Sequence, residues 1–227
     1  MGGPRALYAA PVGEHFGIVV PLALGAAISP TTLALQLFVL SRKTSPLARA
    51  WAIAAGYTVV LLVMMVIAFV FAANTGSGSE SKPEAWLKLA CAIGLAGLGV
   101  LALRRPPKQR KAESEGAEPK LGRFFAIGVA LMATNLTTAA LYLPAMHDVG
   151  DAGASAPGLA LAAVVVIAIT LIPAVLPPLA VTLLGDRARA ALDALSAFCA
   201  RHSRAINASV CFGFAIFLAA VSLPVVF

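Results

Sequence analysis

Charge is scarce in this chain: Asp, Glu, Lys and Arg make up 12% of its 227 residues, hydrophobic side chains make up 60%, and the mean hydropathy is +0.90. Soluble domains carry about a quarter charged residues, so an ordinary water-soluble fold is excluded and the chain belongs in lipid. Cysteine is nearly absent. Cys91, Cys199 and Cys211 have neither CxxC spacing nor an accompanying His cluster, so no redox pair or zinc site is expected, and small buried side chains are the reading. No P-loop, nucleophile elbow or HExxH motif occurs, which leaves ATP hydrolysis and common hydrolase chemistry without support; no enzyme activity, metal or cofactor is expected. The N-terminus lacks a secretory pattern. Arg5 is its one basic residue, and the run from Phe16 to Leu40 is too long for an h-region and has no cleavage pattern, so it reads as a retained first helix. Finally, no Asp, Glu, Lys or Arg stands in the middle of a long apolar run, which argues against a carboxylate proton relay.

What is present is apolar sequence in long runs. A spanning helix needs about 20 such residues, and six segments qualify, at 14–40, 50–73, 84–104, 121–147, 157–184 and 205–225. The net charge of +7 does not point to nucleic acid, because the basic residues cluster in the loops between runs. The loops after the first, third and fifth runs hold fourteen Lys and Arg, against Arg5, Lys82 and Lys88 on the other side. Positive residues mark the cytoplasmic face, so both termini are expected outside a plasma membrane. Segment 105–120 (RPPKQRKAESEGAEPK) is charged, Pro-rich and aperiodic, the composition of a flexible cytoplasmic linker between a first unit, 1–104, and a second, 121–227. Segment 186–204 places Leu192, Leu195 and Phe198 or Cys199 at helical spacing among Arg187, Arg189, Asp193, Arg201 and Arg204. It reads as an interfacial amphipathic helix before the sixth span, or as a solvated helical connector.

An offset of 106 residues superposes the two units without gaps over their first two spans. Ser29-Pro30-Thr31-Thr32-Leu33-Ala34-Leu35-Gln36-Leu37 aligns with Asn135-Leu136-Thr137-Thr138-Ala139-Ala140-Leu141-Tyr142-Leu143, with five of nine positions identical. Three spans per unit is an odd number, so the second unit is inverted relative to the first, as in many secondary transporters. Pro30 has no N–H and its ring collides with the carbonyl of Ala26, so the first span must kink or break there. Ser29, Thr31 and Thr32 offer hydroxyls for the freed backbone groups, and Thr134, Asn135, Thr137 and Thr138 form the matching polar cluster in the fourth span. Both clusters fall about half way along their helices, so two polar breaks are expected to meet near the bilayer centre and form a substrate site with Gln36 and Tyr142. The competing reading is that hydroxyls glue helices together and that prolines kink them without further purpose.

Three further features carry less. Thr170, Pro173, Pro177 and Pro178 are incompatible with a regular helix through the second half of the fifth span, which makes the prolines candidate gating residues, or a plain packing irregularity. Ala90, Gly94, Gly97 and Gly99 predict close backbone approach in the third span. Glu14 and His15 at the outer end of the first span, and His147, Asp148 and Asp151 at the outer end of the fourth, are the titratable groups nearest the spans. The latter three are a candidate site for a lipid head group or cation, with solvated loop residues as the bland alternative.

The Ser29-Pro30-Thr31-Thr32 break, Ala55-Gly56-Tyr57, the Asn135-centred break, and Leu184-Gly185-Asp186-Arg187 followed by Leu192-Asp193 and Arg201-His202 resemble the Sap/Gap family (sulfolipid- and glycopeptidolipid-addressing proteins of actinobacteria) within the wider LysE superfamily of exporters. The family carries an Asn-Pro or similar pair in both broken helices. Here one half keeps the proline and the other the asparagine. The resemblance implies transport or surface delivery of cell-envelope glycolipids, whereas the superfamily also moves amino acids and metal cations. An interior without charge suits a lipid or amphiphile better than a polar solute or cation. A non-transporting scaffold for glycolipid synthesis or export proteins, using the basic segments, is a third expectation. Membrane lipids and copies of the same chain complete the expected partners.

Overall fold

The computed structural model describes residues 12–42, 44–75, 82–104, 120–152 and 155–226. Every element among them is helical: α1 (Val12–Ala27), α2 (Pro30–Leu40), α3 (Pro46–Thr75), α4 (Lys82–Arg104), α5 (Leu121–Ala133), α6 (Leu136–Asp151), α7 (Ala156–Leu184) and α8 (Asp186–Val226). The proposed linker, apart from Lys120, lies outside the described residues, as do Arg5 and Lys43.

α3 and α7 are each long and apolar enough to cross a membrane, and two bent pairs pass the same test, α1 with α2 at 45° and α5 with α6 at 72°. Shorter apolar stretches occupy Lys88–Leu101 of α4 and Arg204–Ala220 of α8. The outward faces of α3 and α7 display Val63, Val66, Ile67, Leu161, Val164 and Leu183. Contiguous apolar surface of this extent is stable only against hydrocarbon, so the chain is a membrane protein with multiple spans.

The two breaks arise from different residues. Proline disfavours helical dihedrals in the residue before it, and Ser29 accordingly takes φ −127°, ψ 88° while Pro30 opens α2 at its first turn. The second break has no proline. Asn135 leaves the helical region (φ −84°, ψ 76°) and its side-chain oxygen caps α6 by accepting from the backbone N–H of Thr138 at 3.3 Å. The α7–α8 turn is a third local device: Gly185 has φ +58°, where a side chain would be strained.

The helices pack with an internal correspondence. α3 lies on α6 as α7 lies on α2; α3 lies on α5 as α7 lies on α1; α4 meets α6 as α8 meets α2. α4 and α8 form the most extensive pair. One core cluster joins α1, α3, α4, α5, α6, α7 and α8 around Leu22, Tyr57, Leu61, Leu95, Met132, Leu141, Tyr142 and Leu218. A smaller one, at the end where the basic residues gather, joins Leu35, Leu37, Val39 and Leu40 of α2 to Ile53, Val181, Ala188 and Leu192. Arg49, expected in a loop, is buried in the first turn of α3, with its guanidinium 5.2 Å from the Phe124 ring.

Three expectations are corrected. The amphipathic segment is no separate helix: α8 is continuous for 41 residues, about 60 Å at 1.5 Å per residue. Its stripe divides, with Leu192 buried against α2 and Leu195 and Phe198 exposed. α7 is likewise unbroken through Pro173, Pro177 and Pro178, and the Ala174 carbonyl that Pro178 frees is taken by a side chain of α2. The expected close approach in α4 is made by Gly99, where a Cβ would press on Phe212 and Cys211 of α8. It is not made by Gly94 or Gly97, which have open space beside them, and the tightest backbone approach lies elsewhere. It occurs where α3 crosses α5: a Cβ at Gly56 would overlap the carbonyl of Phe125, and one at Gly128 would overlap the carbonyl of Ile53.

Candidate functional site

Ser29 and Asn135 occupy the same place in the two units, 106 residues apart, and they touch: Asn135 Nδ2 donates to Ser29 Oγ at 3.2 Å. Ser29 Oγ is also 2.8 Å from Thr32 Oγ1. Pro30 frees the Ala26 carbonyl because it has no N–H to offer. The freed oxygen is not taken by Ser29, Thr31 or Thr32, as their proximity in sequence had suggested. It accepts from Thr138 Oγ1 at 3.1 Å, across from the other unit. The breaks are thus one structure, in which the second unit completes the backbone of the first and the two share a side-chain hydrogen bond.

A second freed carbonyl obeys the same rule. Pro178 leaves the carbonyl of Ala174 without its helical donor, and Gln36 Nε2 donates to it at 2.7 Å and to the Ala50 carbonyl at 3.2 Å. Tyr142, the repeat counterpart of Gln36, donates its hydroxyl to the Leu61 carbonyl at 3.1 Å. Gln36 therefore ties α2 to α7, and Tyr142 ties α6 to α3. Both side chains are wholly buried.

The remaining predicted residues separate. Thr137 is partly buried, with its hydroxyl 3.8 Å from Cys211 Sγ. Thr31 is exposed at the rim, 3.4 Å from Ser29 Oγ. Thr134 points away and donates to the Ala130 carbonyl of its own helix at 2.7 Å. Tyr57 belongs to the site and was not anticipated there. Its ring is fully buried and its hydroxyl lies beside Thr138, Thr32 and Asn135, yet makes a well-formed hydrogen bond to none of them. Its signal was a phenol in an otherwise apolar helix, for which no spacing rule exists. The first N–H groups of α2 and α6 and the last carbonyls of α1 and α5 converge here with these hydroxyls. Such a lining hydrogen-bonds to neutral polar groups and has no nucleophile–base pair.

A family model described as Sap, sulfolipid-1-addressing protein, matches residues 19–224, nearly the whole chain. The chain belongs to the Sap family. No curated protein and no solved structure matches it.

The matched Sap region also contains the outer group of titratable residues, and here the solvated-loop expectation fails. α6 continues to Asp151, and its last two turns are packed against α1, α3 and α4, so His147 and Asp148 are buried. Lys88 of α4 is buried with them, its Nζ 3.0 Å from Asp148 Oδ1. His147 Nδ1 is 3.9 Å from the same oxygen, and its ring lies 5.4 Å from that of Phe71 in α3. The interior of this Sap protein is therefore free of charge at the breaks but not at the far end of the bundle. Among the described residues no group of His, Cys, Asp and Glu is arranged to hold a metal ion. Glu14 and His15 have no described side chains.

Proposed function

We propose that this protein is a membrane transporter that moves a cell-envelope lipid or similar amphiphile across the plasma membrane, with the paired breaks as its substrate site. The observation that carries the reading is the Asn135–Ser29 hydrogen bond between repeat-equivalent residues, which joins two helix interruptions into one buried polar centre. The exchange of packing partners between α1–α4 and α5–α8 supports two inverted units of three spans each, with α1–α2 and α5–α6 each counted as one span. Inverted units of this kind alternate access to a central site by moving against one another. In that scheme Pro173, Pro177 and Pro178 make α7 the gating element, held to α2 by Gln36. The Sap family's description, sulfolipid addressing, supports a lipid as cargo. The gathering of Lys and Arg at one end supports both termini lying outside the cell. The activity proposed is movement without a covalent step.

The test is the double substitution Asn135→Ala with Thr32→Val in the full chain. Lipid delivery should cease while the protein still reaches the membrane. Unchanged delivery would refute the reading.

A scaffold reading is favoured by one observation: Leu195 and Phe198 are exposed near Arg201 and Arg204 on the basic end of α8, a surface suited to docking glycolipid synthesis or export proteins. Purified protein that moves labelled lipid between leaflets of a vesicle would exclude it.

A further inference from the structure

The two breaks are alike in sequence but not in hydrogen bonding. At the second, the Asn135 side chain caps α6 by accepting from the Thr138 N–H. At the first, Ser29 gives α2 no side-chain cap, and its hydroxyl is engaged instead with Thr32 Oγ1 at 2.8 Å and Asn135 Nδ2 at 3.2 Å. The first N–H groups of a helix have no partner within it, so α2 begins with donors that its own cap position leaves unserved. Tyr57 adds another donor. Its side chain is wholly buried, and its hydroxyl lies beside Thr32, Thr138 and Asn135 without a well-formed hydrogen bond to any of them.

The acceptors around this point are already occupied. At the end of α1 the carbonyls of Gly25 and Ala27 accept from the N–H groups of Ile28 and Ser29, and that of Ala26 accepts from the Thr138 hydroxyl. At the end of α5 the carbonyls of Ala130 and Met132 accept from Thr134 and Asn135. Asn135 Oδ1 is taken by the Thr138 N–H. Donors are therefore in excess at the start of α2, and a buried donor without a partner is costly where no water can replace it. The group that fits is an oxygen that accepts hydrogen bonds and brings no hydrogen of its own.

Charge decides which oxygen. A helix N-terminus favours an anion, but the cost of a lone charge at the bilayer centre exceeds what one helix end offsets. No Lys or Arg stands in the middle of any span to make up the difference. A hydroxyl would bring a hydrogen that needs an acceptor of its own. An uncharged carbonyl meets both conditions. The nearby surface suits the rest of such a molecule, because Ile28 and Thr31 are exposed on either side of the buried Ser29 and Pro30.

We infer that the uncapped start of α2 and the Tyr57 hydroxyl bind the ester or amide carbonyl of an acylated lipid, whose chain lies outside against Ile28. The site is one-sided, since Asn135 already fills the equivalent place on α6. The inference rests on the transporter reading for why such a lipid arrives, and it assigns the part of the lipid held at the breaks: the acyl linkage and not the polar head.

The test reads binding and not lipid movement. Full-length protein is placed in nanodiscs of an ether-linked phosphocholine lipid, which has no ester carbonyl, and titrated with methyl palmitate labelled with carbon-13 at its carbonyl. The infrared spectrum should show a saturable labelled carbonyl band at lower frequency than in empty nanodiscs, the signature of hydrogen bonding. Affinity should fall about tenfold in Tyr57→Phe, as one hydrogen bond is lost. It should vanish in Ser29→Asn, which gives α2 the cap that α6 has. Neither hexadecyl methyl ether, which lacks the carbonyl, nor hexadecyl sulfate, which is charged, should displace the ester at equal concentration. No shifted band, undiminished affinity in Tyr57→Phe, or displacement by the ether or the sulfate would each overturn the assignment. If Ser29→Asn does not fold, Tyr57→Phe decides. A shifted band without lipid transfer in vesicles would sink the transporter reading and leave this site standing, and transfer without a shifted band would do the reverse.

Discussion

At the scale of single residues, the centre of the molecule is held by side chains that substitute for backbone. Thr138 fills the acceptor that Pro30 leaves at Ala26, and no water is at hand in the bilayer to replace it. Thr138→Val keeps the shape and removes the donor, so it should lower stability in detergent by about 1–3 kcal/mol, the cost of an unsatisfied buried carbonyl. Thr138→Ser should retain most of it; thermal unfolding of the purified protein measures both. Tyr57 makes the opposite case. Its hydroxyl has neighbours but no well-formed bond to lose, so Tyr57→Phe should change stability by no more than about 0.5 kcal/mol. If that hydroxyl serves substrate, the same variant should still slow lipid transfer in vesicles. Normal transfer would remove Tyr57 from the site.

At the scale of elements, the clearest lesson is where helices end. The Pro30 break was legible because a missing N–H is a property of the residue itself. The Asn135 break was legible only through the repeat, since an asparagine inside an apolar run signals nothing without its partner. The continuity of α8 was misjudged: residues 186–204 contain neither Gly nor Pro, and nothing in the backbone stops the amphipathic stretch from running into the span. The crossing of α3 and α5 was missed because it depends on two glycines in different helices facing one another's carbonyls. Gly56→Ala or Gly128→Ala would put a methyl group onto the backbone oxygen of Phe125 or Ile53, so the helices must separate. Each should cost about 1–3 kcal/mol, the usual penalty of overpacking. Gly94→Ala meets no atom within 4 Å and should gain up to about 1 kcal/mol from helix propensity. Melting curves of the three variants side by side test the contrast, and equal losses would mean that the crossing is not a close one.

At the scale of the whole molecule, an offset of 106 residues relates the stretches around Ser29 and Asn135 in sequence, but the way the two halves of the chain grip each other was not legible there. The ion pair of Lys88 with Asp148 joins residues near the ends of apolar runs, where charge is ordinarily solvated; only the packing of α6 against α4 takes it from water. The exchange of backbone partners is likewise a tertiary fact, because Thr138 and Gln36 each serve a proline in the opposite half. This reciprocity has a mechanical consequence. If the halves move against one another during transport, the Asn135–Ser29 contact must lengthen in at least one state. Fixing it should then stop the cycle without unfolding the protein. Ser29→Cys with Asn135→Cys, in a chain whose native cysteines are replaced, joins the two breaks when a short bifunctional thiol reagent with a reducible disulfide is added. Lipid transfer in vesicles should fall to background on cross-linking and return on reduction to the level of the uncross-linked double variant. A chain that transports equally well with the breaks joined would show that the centre is a rigid hub, and motion would then have to be sought in α7.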